Sequence, residues 1–365
     1  MQANQGQIAG MTRRRLMAAA ARATAGAAVL ASPAVVSSTA LGASAFPRGT
    51  WPQANPRSVG MSVDKLLEAK AAAKKYGTGA GCVIRHGLVV FRWGDFDQRF
   101  LIQSATKSWG SVLLGLALDA GKFGLGDKVI KHLPNLGAKP TSNTGTGWLD
   151  DITFEQLATH TGGFPQPSGY SALQAKPGTT YIYSNCGTNW LANAITNRLR
   201  QDLRVLASDR LFHPLWLSGK DIAWRTPAIF FTDKVYGLPA TEFNGGITAN
   251  VNAMARLGYL FLHGGNWNGT QIVSTSFVDM ATKPYYAHLR IDTLQQYGLL
   301  WFNNGAGGLA GVPRNAFWAS GLNNNHVFVL PSQDVVAVRL GTDGWSNHGY
   351  NNAHFLKPIV DAVIS

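Results

Sequence analysis

The sequence predicts an α+β fold: one antiparallel sheet flanked by helices, with an inserted all-helical stretch. Three observations lead there. Two strand-like runs, 81–85 and 88–92, stand near the front around His86-Gly87, the length of a two-residue hairpin turn. Near the back, 297–302, 317–321, 326–331 and 334–340 read as four more strands. Between them, apolar residues recur at three- and four-residue intervals, the period of helices. Strands at both ends around a helical middle favour one sheet built from both termini. The boundaries that follow are 46–103 plus 238–365 for the sheet region and 104–237 for the helical region, together one domain behind a leader, 1–45.

Taken in order, that leader is a separate segment. Thr12-Arg13-Arg14-Arg15-Leu16-Met17 precedes an Ala/Val-rich run, and Ala43-Ser44-Ala45 supplies a small-x-small site before Phe46. This is the pattern of a twin-arginine signal cleaved after Ala45, so the mature protein is expected to be exported, periplasmic or secreted. A membrane anchor is the alternative, but Arg22, Pro33 and interspersed Ser, Thr and Gly make the run poorly apolar for a spanning helix. No stable membrane insertion is expected after cleavage.

Residues 46–60 are Pro-rich and extended, and Ser62 then caps a Lys-, Glu- and Ala-rich surface helix over 63–76. After the hairpin, Trp109, Val112, Leu113, Leu116 and Ala117 form the apolar stripe of a buried helix that Gly121 ends. Residues 124–134 read as an amphipathic connector. Thr153 and Gln156 have capping-box spacing for a helix reaching Thr159 or His160. Residues 189–212 hold two helices stopped by Pro214. A helix over about 250–263, a short helix, the late strands and a last helix over about 353–364 complete the order.

Composition narrows the function. The 365 residues are 45% hydrophobic and carry +13 formal charge, which falls to +9 once the four leader arginines are removed. The remaining basic residues are scattered, without the clustered stripe that nucleic-acid binding needs, so no nucleic-acid partner is expected. Of the two cysteines, Cys82 sits in an apolar strand and Cys186 directly follows Tyr183-Ser184-Asn185, so they read as separate buried thiols, although export would permit a disulfide. No H-E-x-x-H or C-x-x-C spacing occurs, so neither a metal nor a cofactor is expected.

The chemistry-bearing stretch is Ser104-Ala-Thr-Lys107, at the mouth of the buried helix. Residues at i and i+3 share a helix face, so the amine can take the hydroxyl's proton and make serine a nucleophile. The helix N-terminus favours the oxyanion formed there. Spacing alone is weak: about one or two S-x-x-K would arise by chance in this length, and Ser62-Val-Asp-Lys65 is a second. Ser62 begins a surface helix, whereas Ser104 leads into an apolar one. Tyr183-Ser184-Asn185 follows 79 residues after Ser104. A phenol becomes a base only where a cation such as Lys107 lowers its pKa; otherwise Tyr183 is an ordinary loop tyrosine, as Tyr350-Asn-Asn352 illustrates.

Together, Ser104-Ala-Thr-Lys107 and Tyr183-Ser-Asn185 resemble the serine beta-lactamase-like family, in the branch of class C beta-lactamases, D-amino-acid peptidases, esterases and 6-aminohexanoate-dimer hydrolases. Segment 125–134 is similar to that branch's LDDPVSKYLP run and 152–163 to its ITIRHLLTHTSG run; 245–249 and 267–273 also match it. The resemblance implies a beta-lactamase/transpeptidase-like fold, with Ser104 acylated and Lys107 and Tyr183 sharing proton transfer. Asn185 would orient Lys107 or a substrate carbonyl. It places the family's Lys-Thr-Gly triad at Ala319-Ser320-Gly321, rather than at His160-Thr161-Gly162, and gives the oxyanion N–H groups to Ser104 and Leu322. Such donors contribute about 3 kcal/mol to barrier reduction. Ala319 departs from the pattern: without the usual cation a penicillin carboxylate loses its anchor.

The substrate expected is therefore a small-molecule ester or amide, cleaved by an exported serine hydrolase. A beta-lactamase or D,D-peptidase is the alternative, and an inactive binding protein on the same fold is the alternative of another class. Trp318 and Asn323 to Asn325 either line the acyl pocket or form a packed strand residue and a turn. Trp301 and Trp345 are wall candidates that core packing explains better.

Overall fold

A computed structural model describes residues 46–77, 79–285, 296–342 and 350–364. The leader and Trp345 lie outside them. Ser62 caps α1 (Val63–Lys75), its hydroxyl accepting the Lys65 N–H. β1 (Gly79–Arg85) and β2 (Leu88–Trp93) form the expected hairpin, with His86 and Gly87 both at positive φ, as a two-residue turn of this twist requires. β3 (Phe100–Leu101) leads through a 3₁₀ turn, Gln103–Ala105, into α2 (Thr106–Asp119). Every residue of α2 from Thr106 to Ala117 is buried, so this helix is the axis of the molecule rather than a surface element.

The middle is helical. α3 (Phe154–Ala158) starts at a full capping box of Thr153 and Gln156. α4 (Asn185–Leu199) is capped by Ser184, and α5 (Leu203–Ala207) runs on into a π-turn ending at Phe212. α4 thus starts four residues before the predicted helix, because the Ser184 hydroxyl accepts the Gly187 N–H and draws Asn185 into the first turn. Residues 124–134 hold only a 3₁₀ turn, Val129–Lys131, anchored by the buried Val129 and Leu133. β4 (Ile222–Trp224) and β5 (Ile247–Ala249) pair with β3 in a small sheet of order β3-β5-β4. α6 (Val251–Leu262), a two-residue hairpin of β6 (Asn266–Trp267) and β7 (Thr270–Gln271), and α7 (Thr275–Thr282) follow.

β8 (Gln296–Tyr297), β9 (Phe302–Asn303), β10 (Phe317–Gly321), β11 (Asn325–Leu330) and β12 (Val335–Gly341) complete a seven-stranded antiparallel sheet of order β2-β1-β12-β11-β10-β9-β8. The single strand predicted over 297–302 is split in two. Ser108 and Ser111 of α2 donate to the carbonyls of Leu300 and Leu299 at 2.8 and 2.7 Å, and Leu300 turns to positive φ. α8 (Asn352–Ala362) ends the fold and packs on α1.

The sheet separates two cores. α2 and α6 cover one face, where Ala319, Val327 and Val338 point; α1 and α8 cover the other, where Trp318, Phe328 and Ala337 point. Cys82 and Cys186 are both buried and free, so no disulfide joins them.

Candidate active site

Ser104 sits in the 3₁₀ turn just ahead of α2, and Lys107 is the second residue of the helix proper. Lys107 Nζ lies 3.1 Å from Ser104 Oγ. It lies 2.6 Å from Asn185 Oδ1, at the first residue of α4. The Asn244 carbonyl oxygen is 3.4 Å from both Nζ and the Ser104 hydroxyl. The Tyr183 ring closes the remaining side, its centroid 4.8 Å from Nζ, and its hydroxyl hydrogen-bonds Ser104.

Lys107 is 1% exposed, and burial lowers its pKa to about 7. Desolvation penalises the charged form, and no carboxylate stands near enough to compensate. A neutral amine has two N–H bonds and one lone pair. Here Asn185 Oδ1 and the Asn244 carbonyl offer two acceptors for the N–H bonds, which leaves the lone pair for the Ser104 proton. Tyr183 moves oppositely: burial raises its phenol to about 12, with the Ser104 hydrogen bond offsetting part of that. The cation that the sequence reading required to lower Tyr183 is itself neutralised by burial. The arrangement therefore suits the lysine to accept a proton, and the phenol to donate one, near neutral pH.

Sequence reasoning missed three residues here. Asn189, one turn after Asn185 on α4, accepts the N–H groups of Phe243 and Asn244 at 3.1 and 3.2 Å through Oδ1. It thereby fixes the carbonyl facing Lys107. The i, i+4 spacing from Asn185 was a usable signal, since both side chains emerge on one helix face. Asn244 works through its backbone and left none. His160 packs at 4.5 Å and a 43° tilt against the Tyr183 ring and accepts the Ser184 N–H at Nδ1; burial, then Lys107, hold it well below the usual histidine range. It braces the loop carrying Tyr183.

Ser104, Tyr183 and Asn185 open onto a cavity of about 820 Å³, which Trp318, Ser320, Gly321 and Leu322 also line. Gly321 sets how close β10 comes to the serine turn. A Cβ on it would lie 2.1 Å from the Ile102 carbonyl oxygen and 3.0 Å from the Ala105 nitrogen, so only glycine fits. The backbone of Leu322 follows directly at the cavity wall. Ala319 is buried on the opposite, helix-covered face and brings no cation. Trp301 is fully buried against Phe261 and Phe317 and lies outside the cavity lining. His160-Thr161-Gly162 closes the end of α3. Among the described residues no group of His, Cys, Asp and Glu is arranged to hold a metal, and no helix is long and apolar enough to cross a membrane.

The model of the beta-lactamase family matches residues 63–354, four-fifths of the chain. The chain belongs to the beta-lactamase family. Membership places it among serine hydrolases of the esterase, amidase and beta-lactamase type. The D-alanyl-D-alanine-carboxypeptidase/endopeptidase AmpH of Escherichia coli K12 is 32% identical over 143 residues, covering 33% of this chain and 36% of AmpH. Among solved structures, a Bacillus anthracis protein provisionally named a 6-aminohexanoate-dimer hydrolase superposes with a TM-score of 0.63 at 16% identity, covering 80% of each chain. A family VIII carboxylesterase gives 0.62 at 15% identity, covering 83% of this chain and 98% of its own. At such identities the likeness shows the shared fold.

Proposed function

We propose that the protein hydrolyses a carboxylic ester or simple amide through an acyl-enzyme on Ser104. The observation that carries this reading is Lys107: a buried amine with pKa about 7, 3.1 Å from the serine hydroxyl, with both its N–H bonds provided for. Lys107 takes the proton as Ser104 Oγ attacks the carbonyl. Tyr183, remaining protonated, passes a proton to the leaving group and is reprotonated through Lys107. The Ser104 and Leu322 N–H groups receive the oxyanion, which the contact at Gly321 brings within reach of one another. Water then attacks the acyl-enzyme by the same proton path in reverse.

The lining favours neutral esters and simple amides over carboxylate-bearing β-lactams and peptides. Among the described residues around the cavity there is no Lys, Arg, Asp or Glu, so the carboxylate of a penicillin or of a D-alanyl peptide meets no counter-charge. The twin-arginine leader supports export to the periplasm or beyond. The test is labelling by a fluorophosphonate and turnover of nitrophenyl esters, with Ser104→Ala as control. Label on the Ser104 peptide and ester hydrolysis are expected; a folded protein that takes no label there would sink the proposal. Cephalosporin turnover exceeding ester turnover would replace the ester reading by a β-lactam one.

A further inference from the structure

Resting on the serine-hydrolase reading above, we propose that the substrate is an O-acylated sugar, whose neutral polyhydroxylated ring is held by the wide part of the Ser104 cavity. The lining has an unusual chemistry. Eight of its twenty described residues are Asn or Gln, five are Phe, Trp or Tyr, and none is charged. A volume of about 820 Å³ accommodates one or two sugar rings beside the serine.

Carboxamides can be purely structural, and four of these are committed, Asn324 by donating to the Tyr76 carbonyl at 3.0 Å. Asn304 donates to the carbonyls of Leu309, Val312 and Pro313 and accepts the Leu309 N–H. Asn351 caps α8, and Asn185 holds Lys107. Three others in the lining are uncommitted. Gln166, Asn323 and Asn352 make no side-chain hydrogen bond to described residues. Asn303 accepts the Gly305 N–H through Oδ1 and pairs with Phe317, on the face of the sheet away from Trp318. His326 is 4% exposed, and neither ring nitrogen makes a well-formed hydrogen bond, the Ala319 backbone offering a weak contact only. Native proteins rarely leave buried donors and acceptors unpaired, so the buried His326 ring is complementary to something that enters, and the more open Gln166, Asn323 and Asn352 are free to share that ligand.

A hydroxyl fits them better than an ion does. Burial, then the adjacent Arg339, hold His326 at about 3, so its imidazole is neutral and presents one donor and one acceptor. Free carboxamides offer the same pair, and each hydroxyl of a sugar both donates and accepts. A carboxylate accepts only and would stand here without a cation; an ammonium would stand without a carboxylate. The walls are flat: Trp318 stacks on Phe302 at 6.0 Å and 8°, and Tyr350 on His326 at 6.0 Å and 18°. Such aromatic edges and faces pack against the C–H face of a sugar ring while the amides reach its hydroxyls. In the reaction the bond between acyl carbon and sugar oxygen breaks as the Ser104 Oγ–acyl bond forms. The sugar oxygen leaves with the Tyr183 proton, which Lys107 replaces with the one it took from Ser104, and water releases the acid.

The experiment compares kcat/KM of the mature protein for 6-O-acetylglucose, 2-methoxyethyl acetate and an acetylated glucuronic acid. The sugar acetate is expected to exceed the simple acetate by about 100-fold, with the uronic acid well below it. Asn352→Ala and Asn323→Gly, the latter chosen because Asn323 has positive φ, should each lower the sugar-to-simple-acetate ratio about tenfold. A ratio near one in the native protein, or one unchanged in both variants with their near-ultraviolet circular dichroism intact, overturns the inference. Fluorophosphonate labelling of the same samples separates the causes. Label on Ser104 with no sugar preference defeats this inference alone, whereas no label defeats the hydrolase reading beneath it.

Discussion

Two stretches of this molecule share the spacing Ser-x-x-Lys, and they behave in opposite ways. Ser62 is the N-cap of α1, its hydroxyl taken by the Lys65 backbone N–H, while the Lys65 side chain turns outward to Glu68 at 2.8 Å with 40% of it exposed. That hydrogen bond raises the Lys65 pKa above the usual lysine value. Ser104 lies a residue further ahead of its helix, in a 3₁₀ turn, so its hydroxyl meets the Lys107 side chain instead. Lys107 is sealed inside, and its pKa drops to about 7. One residue of helix phase and the presence or absence of water separate a capped surface helix from a charge-free amine beside a hydroxyl.

The largest test of that contrast is paired alanine substitution. Ser104→Ala should reduce ester turnover by about 10⁴-fold or more and abolish fluorophosphonate labelling. Ser62→Ala should leave kcat/KM alone and remove about 1 kcal/mol of stability, read by urea denaturation. Equal activity losses would break the comparison.

Substituting the lysines sharpens it. Lys107→Met should cost about 10²- to 10⁴-fold in kcat/KM, and Lys65→Met should change neither rate nor melting temperature measurably. The native pH profile should rise and level off above about pH 7, since only the neutral amine accepts the proton. Stability carries the same signature. Between about pH 7 and 10.5 the unfolded chain binds the Lys107 proton and the folded one does not, so stability gains from this residue as pH rises through that window. Lys107→Met should flatten that slope in melting curves taken across it; an unaltered slope would mean the amine is not held neutral.

The smallest expected effect concerns the bracing that the surface motif lacks. Asn189→Ala frees the Phe243 and Asn244 N–H groups. About a tenfold drop in kcat with little change in KM is expected, together with a displaced limiting pKa, because the carbonyl facing Lys107 shifts. A pH profile identical to the native one would make Asn189 a packing residue only.

How much of this was legible in the chain differs by element. The β1–β2 hairpin and the strands β10, β11 and β12 were readable because turn chemistry and apolar runs are local signals. β3, β4 and β5 are two or three residues long and exist through pairing with one another, so no local pattern marks them. The break between β8 and β9 was hidden as well, because it is imposed by Ser108 and Ser111 from a distant helix. In the site, the residues Ser104, Lys107, Tyr183 and Asn185 could be named from motif, but the protonation of Lys107 and Tyr183 could not. It follows from burial, which is a property of the assembled core. The part played by Asn244 is carried by a backbone carbonyl, and side-chain identity does not encode that.

The contact at Gly321 separates what may vary from what may not. β10 rests against the serine turn with no room for a methyl group, so the distance from strand to Ser104 is set by backbone alone. The far wall, by contrast, is made of loop residues near 304–309, 322–324 and 350–352. Substitutions there can resize or repaint the chamber without moving Ser104 relative to the strand. The bound molecule can thus be changed through the loops while Ser104 keeps its distance from β10.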